Sequence, residues 1–206
     1  MGVRPCVVTL VLAAMLACGG AAPGQPPEVS QPFRPGGLVT MHLSAGEYTV
    51  EAGRDNEIHV RWNTRNVGDL SQVKVSVQTT ATDATIKTDG PHNGFSVTIE
   101  LPARSDLDTR LSAGELRIDG IEGSKRVRCW AGDLKIDVVR ADDYGDVRAS
   151  VVAGEIVAPA FHVTMDGLFR SLETKGPGAY SFDARLTAGS MRLYAARDET
   201  SEHWRH

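Results

Sequence analysis

The sequence predicts an all-β chain: a right-handed type of β-helix, or β-solenoid, built of short stacked strands and preceded by a small antiparallel β region. Three observations predict it. Apolar residues alternate at period two through the first half of the folded part, an Ala-Gly motif returns five times with apolar residues at fixed positions around it, and no segment holds a helical period for two turns. The 206 residues are long enough to bury a sizeable core. With 22 Lys+Arg against 26 Asp+Glu the net charge is -4, which gives no basic footprint for nucleic acid. A charged fraction of 23% beside 41% hydrophobic residues does not suit a wholly disordered chain.

Residues 1–17 read as a signal peptide. Met1–Arg4 carries one positive charge and Cys6–Ala17 is an uncharged apolar run of twelve, too short for a comfortable membrane span. The run ends in Met15-Leu16-Ala17-Cys18-Gly19, which resembles a bacterial lipobox, with Met15 where Leu is usual. That resemblance implies cleavage between Ala17 and Cys18 and diacylglycerol, with palmitate-like chains, on the Cys18 thiol. Each buried methylene contributes about 0.8 kcal/mol, so two or three acyl chains hold where one does not. Gly19 in the second mature position, by resemblance to Gram-negative lipoproteins, implies the outer membrane. The expected partner at this end is therefore the membrane. Cys6 leaves with the signal and Cys18 takes lipid, so Cys129 has no partner for a disulfide. Residues 18–37 then form a linker: five glycines and five prolines between 19 and 37 favour an extended spacer.

Residues 38–103 are expected to form the antiparallel region that caps the solenoid. Val39/Met41/Leu43, Ile58/Val60/Trp62, Val73/Val75/Val77 and Phe95/Val97/Ile99/Leu101 each fall on one side at period two, and Gly53–Asn56 and Asp89–Gly94 supply turns. Alternation implies one wet face.

Residues 104–196 are expected to be the solenoid, with 197–206 as a polar tail. Five copies align on Ala-Gly: LSAGEYTV (43–50), LSAGELRI (111–118), CWAGDLKI (129–136), VVAGEIVA (151–158) and LTAGSMRL (186–193). Positions one, three, six and eight are apolar in every copy. Period two holds on each side of the glycine and slips by one across it, so the chain must bend or bulge there. Weaker copies carry Gly123, Gly145, Gly167 and Gly178. Two glycine-to-glycine steps give circuits of 18 to 24 residues that gain stability by stacking on one another. The run 101–138, LPARSDLDTRLSAGELRIDGIEGSKRVRCWAGDLKIDV, resembles the bacterial putative-adhesin domain family. The resemblance implies a β-solenoid envelope protein and brings no catalytic residues to carry over.

The chemistry-bearing residues point to binding rather than catalysis. The acids after Ala-Gly (Glu47, Glu115, Asp133, Glu155) read as solvated turn acids beside Arg or Lys rather than a Ca²⁺ column. The pairs Asp106/Asp108 and Asp142/Asp143 sit at corners, and the histidines at 42, 59, 92, 162, 203 and 206 have no zinc spacing, so no metal and no cofactor is expected. Cys129 falls on a core position as an inert thiol. Trp130 and Val152 share the outward second position of the repeat, and Val157 is another outward apolar residue; these three are the expected contact for a glycan or an envelope protein. The expected function is a non-catalytic, lipid-anchored envelope module for attachment or scaffolding. A polysaccharide lyase or hydrolase on the same β-helix is the alternative.

Overall fold

The computed structural model describes residues 26–91 and 93–195. The signal segment, Cys18 and the first part of its linker, His92 and the polar tail 197–206 lie outside the described residues. Twelve strands follow in order: β1 (Glu28–Pro32), β2 (Leu38–Leu43), β3 (Gly46–Gly53), β4 (Glu57–Thr64), β5 (Lys74–Thr79), β6 (Asp83–Asp89), β7 (Phe95–Pro102), β8 (Asp106–Asp119), β9 (Lys125–Asp137), β10 (Tyr144–Ala158), β11 (Val163–Lys175) and β12 (Tyr180–Tyr194). They form one mixed, open sheet in the order β1-β4-β7-β3-β8-β9-β12-β10-β11, and β2, β6 and β5 extend it beside the first half of β8. The chain is all-β, as its periodicity predicts. Among the described residues no helix is long and apolar enough to cross a membrane.

The Ala-Gly motif sets the register. Gly46 pairs with Gly114, Gly114 with Gly132, Gly132 with Gly189 and Gly189 with Gly154, all between parallel strands. Gly114, Gly132, Gly189 and Gly154 have φ of 115°, 134°, 132° and 140°, a region that residues with a Cβ rarely enter. A Cβ on any of these four would also overlap the carbonyl oxygen of the preceding glycine in the stack. Glycine is thus required twice over, for the bend and for the close approach.

The bend carries the one-residue slip. Before it, Leu43, Leu111, Cys129, Leu186 and Val151 are buried; after it, Tyr48, Leu116, Leu134, Met191 and Ile156 are buried, and both sets belong to one core. Leu116 lies beside Leu134, and Met191 joins Leu134 to Ile156. Each such side chain contributes roughly 1.5–3 kcal/mol by burial. The third repeat position, always alanine, is half-buried in four copies and exposed at Ala188, since it falls inside the bulge.

Four expectations need correction. The expected spacer 18–37 is not free over 28–33, because β1 takes up the open edge of β4 and Phe33 is buried in the core. In place of circuits stacked in chain order there is one open sheet, in which β12 lies between β9 and β10. The weak copy around Gly167 runs the other way, since β11 pairs antiparallel with β10 and sets Gly167 opposite Gly154. The region 38–103 is mixed rather than antiparallel. Here β1–β4, β4–β7 and β5–β6 are antiparallel, whereas β2–β6, β2–β8, β3–β7 and β3–β8 are parallel. The physical reason lies in β2 and β3. They bear the first copy of the motif and therefore follow the same path beside β8 as the later copies.

Candidate functional site

The outward face of the bent sheet is built of rows, because in-register strands bring equivalent residues side by side about 4.8 Å apart. Two residues before each glycine runs a row of Ser112, Trp130, Thr187, Val152 and, across the antiparallel edge, Phe169. Trp130 is 71% exposed, Val152 43% and Phe169 79%. Trp130 and Val152 are therefore outward, but Thr187 stands between them instead of their being direct neighbours. Val157 lies half-buried on another row, beside Arg192 and Thr164. Phe169 and its exposed neighbour Leu168 extend the apolar surface onto the edge strand, and Phe169 holds a positive φ of 53°.

Two residues before the tryptophan row lies a row of basic side chains, four of them cations. Lys87, His42, Arg110, Arg128 and Arg185 sit side by side on β6, β2, β8, β9 and β12, and Ser150 continues the line on β10. One step further out the charges alternate: Asp108, Arg126, Asp183, Arg148 and Glu173 occupy successive strands. Arg126 lies 3.5 Å and Arg128 4.0 Å from Asp108, while Arg185 donates two hydrogen bonds to Asp183. The cation row is a feature that sequence reasoning missed. Extending the five aligned copies by one residue toward the N-terminus would have found it, since His42, Arg110, Arg128, Ser150 and Arg185 precede them.

The turn acids also fall in a row, Glu47, Glu115, Asp133, Glu155 and Asp166, with Ser190 between Asp133 and Glu155. Lys135 Nζ donates to Glu115 at 2.7 Å and Ser190 Oγ donates to Asp133 at 2.5 Å. Glu115 and Asp133 thus hold a cation and a hydroxyl of their own sheet. Of the two acid pairs, Asp106 and Asp108 open strand β8 rather than a corner: Asp106 accepts the Ser124 backbone N–H, Asp108 faces the two arginines, and Asp143, in the turn before β10, pairs with Arg140.

Away from this face, His59 on β4 is clasped by carboxylates. Its Nδ1 lies 3.1 Å from Glu28 Oε1 on β1 and its Nε2 3.0 Å from Asp55 Oδ2. Partial burial opposes charging the ring, but Asp55 and Glu28 together outweigh it and raise its pKa above the ordinary 6.5. Asp55, Glu57 and His59 place one ligand atom each within 4.8 Å of one another. The ring nitrogens already serve the clasp that holds β1 to β4.

Two buried groups complete the inventory. Lys125 is buried to 1% exposure, and its Nζ donates to the Ile121 carbonyl at 2.6 Å and to the Tyr144 hydroxyl at 2.5 Å. Burial pulls its pKa down to about 8 although Asp137 and other acids oppose the shift. Cys129 lies between Leu111 and Leu186, and burial pushes its thiol up to about 11, which keeps the thiolate scarce at neutral pH.

No family model and no curated protein matches the chain. Among solved structures it is similar to a putative cell adhesion protein from Clostridium sporogenes, at 12% identity and a TM-score of 0.49, over 82% of this chain and 99% of that one. It is also similar to a putative adhesin from Bacteroides fragilis, at 8% identity and a TM-score of 0.29, over 83% and 98%.

Proposed function

We propose that this chain is a non-catalytic, lipid-anchored cell-envelope protein whose adhesin-like, irregular β-solenoid serves attachment or scaffolding. The observation that carries the reading is the glycine stack. It locks five strands into one register and so presents rows of equivalent side chains on a broad outward face, with Trp130, Val152 and Phe169 standing out of it. Such a face suits an extended partner, and exposed apolar side chains in line mark a contact surface. β8 and β9 favour the solenoid description: after Asp119 the chain returns within five residues to start β9 beside the beginning of β8.

The anchor rests on the lipobox-like segment around Cys18, and the outer membrane on Gly19. What favours the module over a polysaccharide-active enzyme is that the acids Asp106, Asp108 and Asp143 are engaged in holding turns and arginines. The test has two arms. Labelled palmitate should enter the full chain and be lost, together with membrane association, in Cys18→Ala; unchanged label or fractionation ends the anchor. Captured envelope glycans or proteins should be lost with Trp130→Ser at unchanged stability. A large stability loss with unchanged capture would make the indole a structural cover.

A further inference from the structure

We infer that the cation row and Trp130 together form a binding track for a linear acidic polysaccharide, with carboxylates of the sugar chain on the row and a sugar ring on the indole. The inference rests on the attachment reading and names its ligand class.

The row is long and regular. Lys87, His42, Arg110, Arg128 and Arg185 occupy adjacent strands, so the four steps between them span roughly 19 Å at strand spacing. The fold gains nothing from it. Like charges opposite one another on neighbouring strands destabilise a sheet, and Arg110, Arg128 and Arg185 stand on three in succession. Beyond the bend, the neighbouring Arg117 and Lys135 are relieved internally, Arg117 by Asp119 and Lys135 by Glu115. In the row itself Arg185 is held by Asp183 and Arg128 lies at 4.0 Å from Asp108, but among the described residues Arg110 and Lys87 have no ion pair. A row of anions from outside would supply what the sheet does not.

The surroundings of the row select among polyanions. Trp130 stands two residues along β9 from Arg128, on the same face, with Ser112 and Thr187 on the strands to either side. That combination offers an apolar plate, hydroxyls and a cation within one sugar-sized area. Carboxylates border the track on both sides, Asp108 and Asp183 beyond the cations and Glu115 and Asp133 beyond the indole. A ligand that is only anionic makes no use of these carboxylates, which alternate with Arg126 and Arg148 on the outer side. A single-file chain of sugar acids brings hydroxyls as well, and hydroxyls donate to carboxylates. A shallow depression lined by His42, Ser44, Thr88, Asp89, Arg110 and Ser112 lies at the middle of the row and repeats the mixture of cation, hydroxyl and carboxylate. A polyphosphate chain carries no such hydroxyls to place against the bordering acids.

The experiment measures binding of the full chain to polygalacturonate at two salt concentrations, with dextran, polyphosphate, single-stranded DNA and phosphatidylglycerol vesicles as comparison probes. The wild type should prefer polygalacturonate to all four. The double variant Arg110→Gln/Arg128→Gln should lose about tenfold or more in affinity and show a shallower salt dependence. Trp130→Ser should lose about tenfold with the salt dependence unchanged. Arg148→Gln, whose arginine lies off the row, should bind as the wild type does. Equal or tighter binding to polyphosphate, DNA or vesicles overturns the inference, as does failure of the wild type to bind polygalacturonate or wild-type affinity in the double variant. If dextran or an envelope protein binds instead and the arginine variants retain it, the attachment reading stands and the acidic-glycan track falls. Unfolding midpoints of the exposed-site variants close to wild type show that the losses belong to binding.

Discussion

At the scale of single residues, the stacked glycines are the least replaceable positions. Gly132→Ala would place a methyl group on the Gly114 carbonyl and force an alanine to φ of 134°. It should cost about 3 kcal/mol, read as the loss in urea unfolding free energy. Gly68→Ala, where a Cβ meets nothing within 4 Å, should stay within about 0.5 kcal/mol of wild type. His59 gives a pH-dependent counterpart. Its folded pKa is raised, so the clasp with Glu28 and Asp55 contributes fully below the ordinary 6.5 and is lost as pH rises through the folded value. The wild-type urea midpoint should fall over that window relative to His59→Gln, whose profile should lack the drop.

At the scale of elements, register was legible in the sequence and neighbourhood was not. The Ala-Gly alignment puts Gly46, Gly114, Gly132, Gly154 and Gly189 at one level, where the structure has them, because the bend and the slip in periodicity leave one pairing that keeps every apolar side chain inside. The copies are too alike, however, to say which lies next to which, and β12 takes the place beside β9 that chain order would give to β10. β11 was harder still. Read backwards from Gly167, Phe169 matches Val152, but a forward alignment cannot reveal a reversed strand. Part of the candidate site was visible in Trp130 and Val152. The cation row was hidden by where the repeat was taken to start.

The start of β9 is fastened to the start of β10 by Lys125 and Tyr144, and this junction has its own pH signature. Between about pH 8 and 10.5 the unfolded chain holds a proton on Lys125 that the native protein has lost, so its contribution to stability rises with pH. Cys129 works in the opposite direction above its ordinary 9.0, because burial keeps its proton on in the native state. The cleanest comparison is therefore pH 8 to 9, where wild type should gain stability relative to Lys125→Met.

At the scale of the whole molecule, the sheet depends on a strand from near the end of the described chain. β12 is bonded to β9 on one side and β10 on the other, with Leu186, Met191 and Leu193 fully or almost fully buried between them. A chain ending at Lys175 leaves two long edges unpaired over an open core, and open edges recruit other chains. Such a truncated protein should sediment as aggregates under conditions that keep the full chain dispersed. A dispersed truncated protein with native-like circular dichroism would show that β9 and β10 close on each other without β12.

The central seat of β12 also bears on timing. A chain that becomes available N-terminus first has β9, β10 and β11 before β12, yet their final arrangement contains a gap of one strand's width. The early pieces must either wait apart or pair wrongly and separate again. Strands β1 to β9 can pair as they appear, but β10 and β11 reach their final places only once the chain through Tyr194 is available.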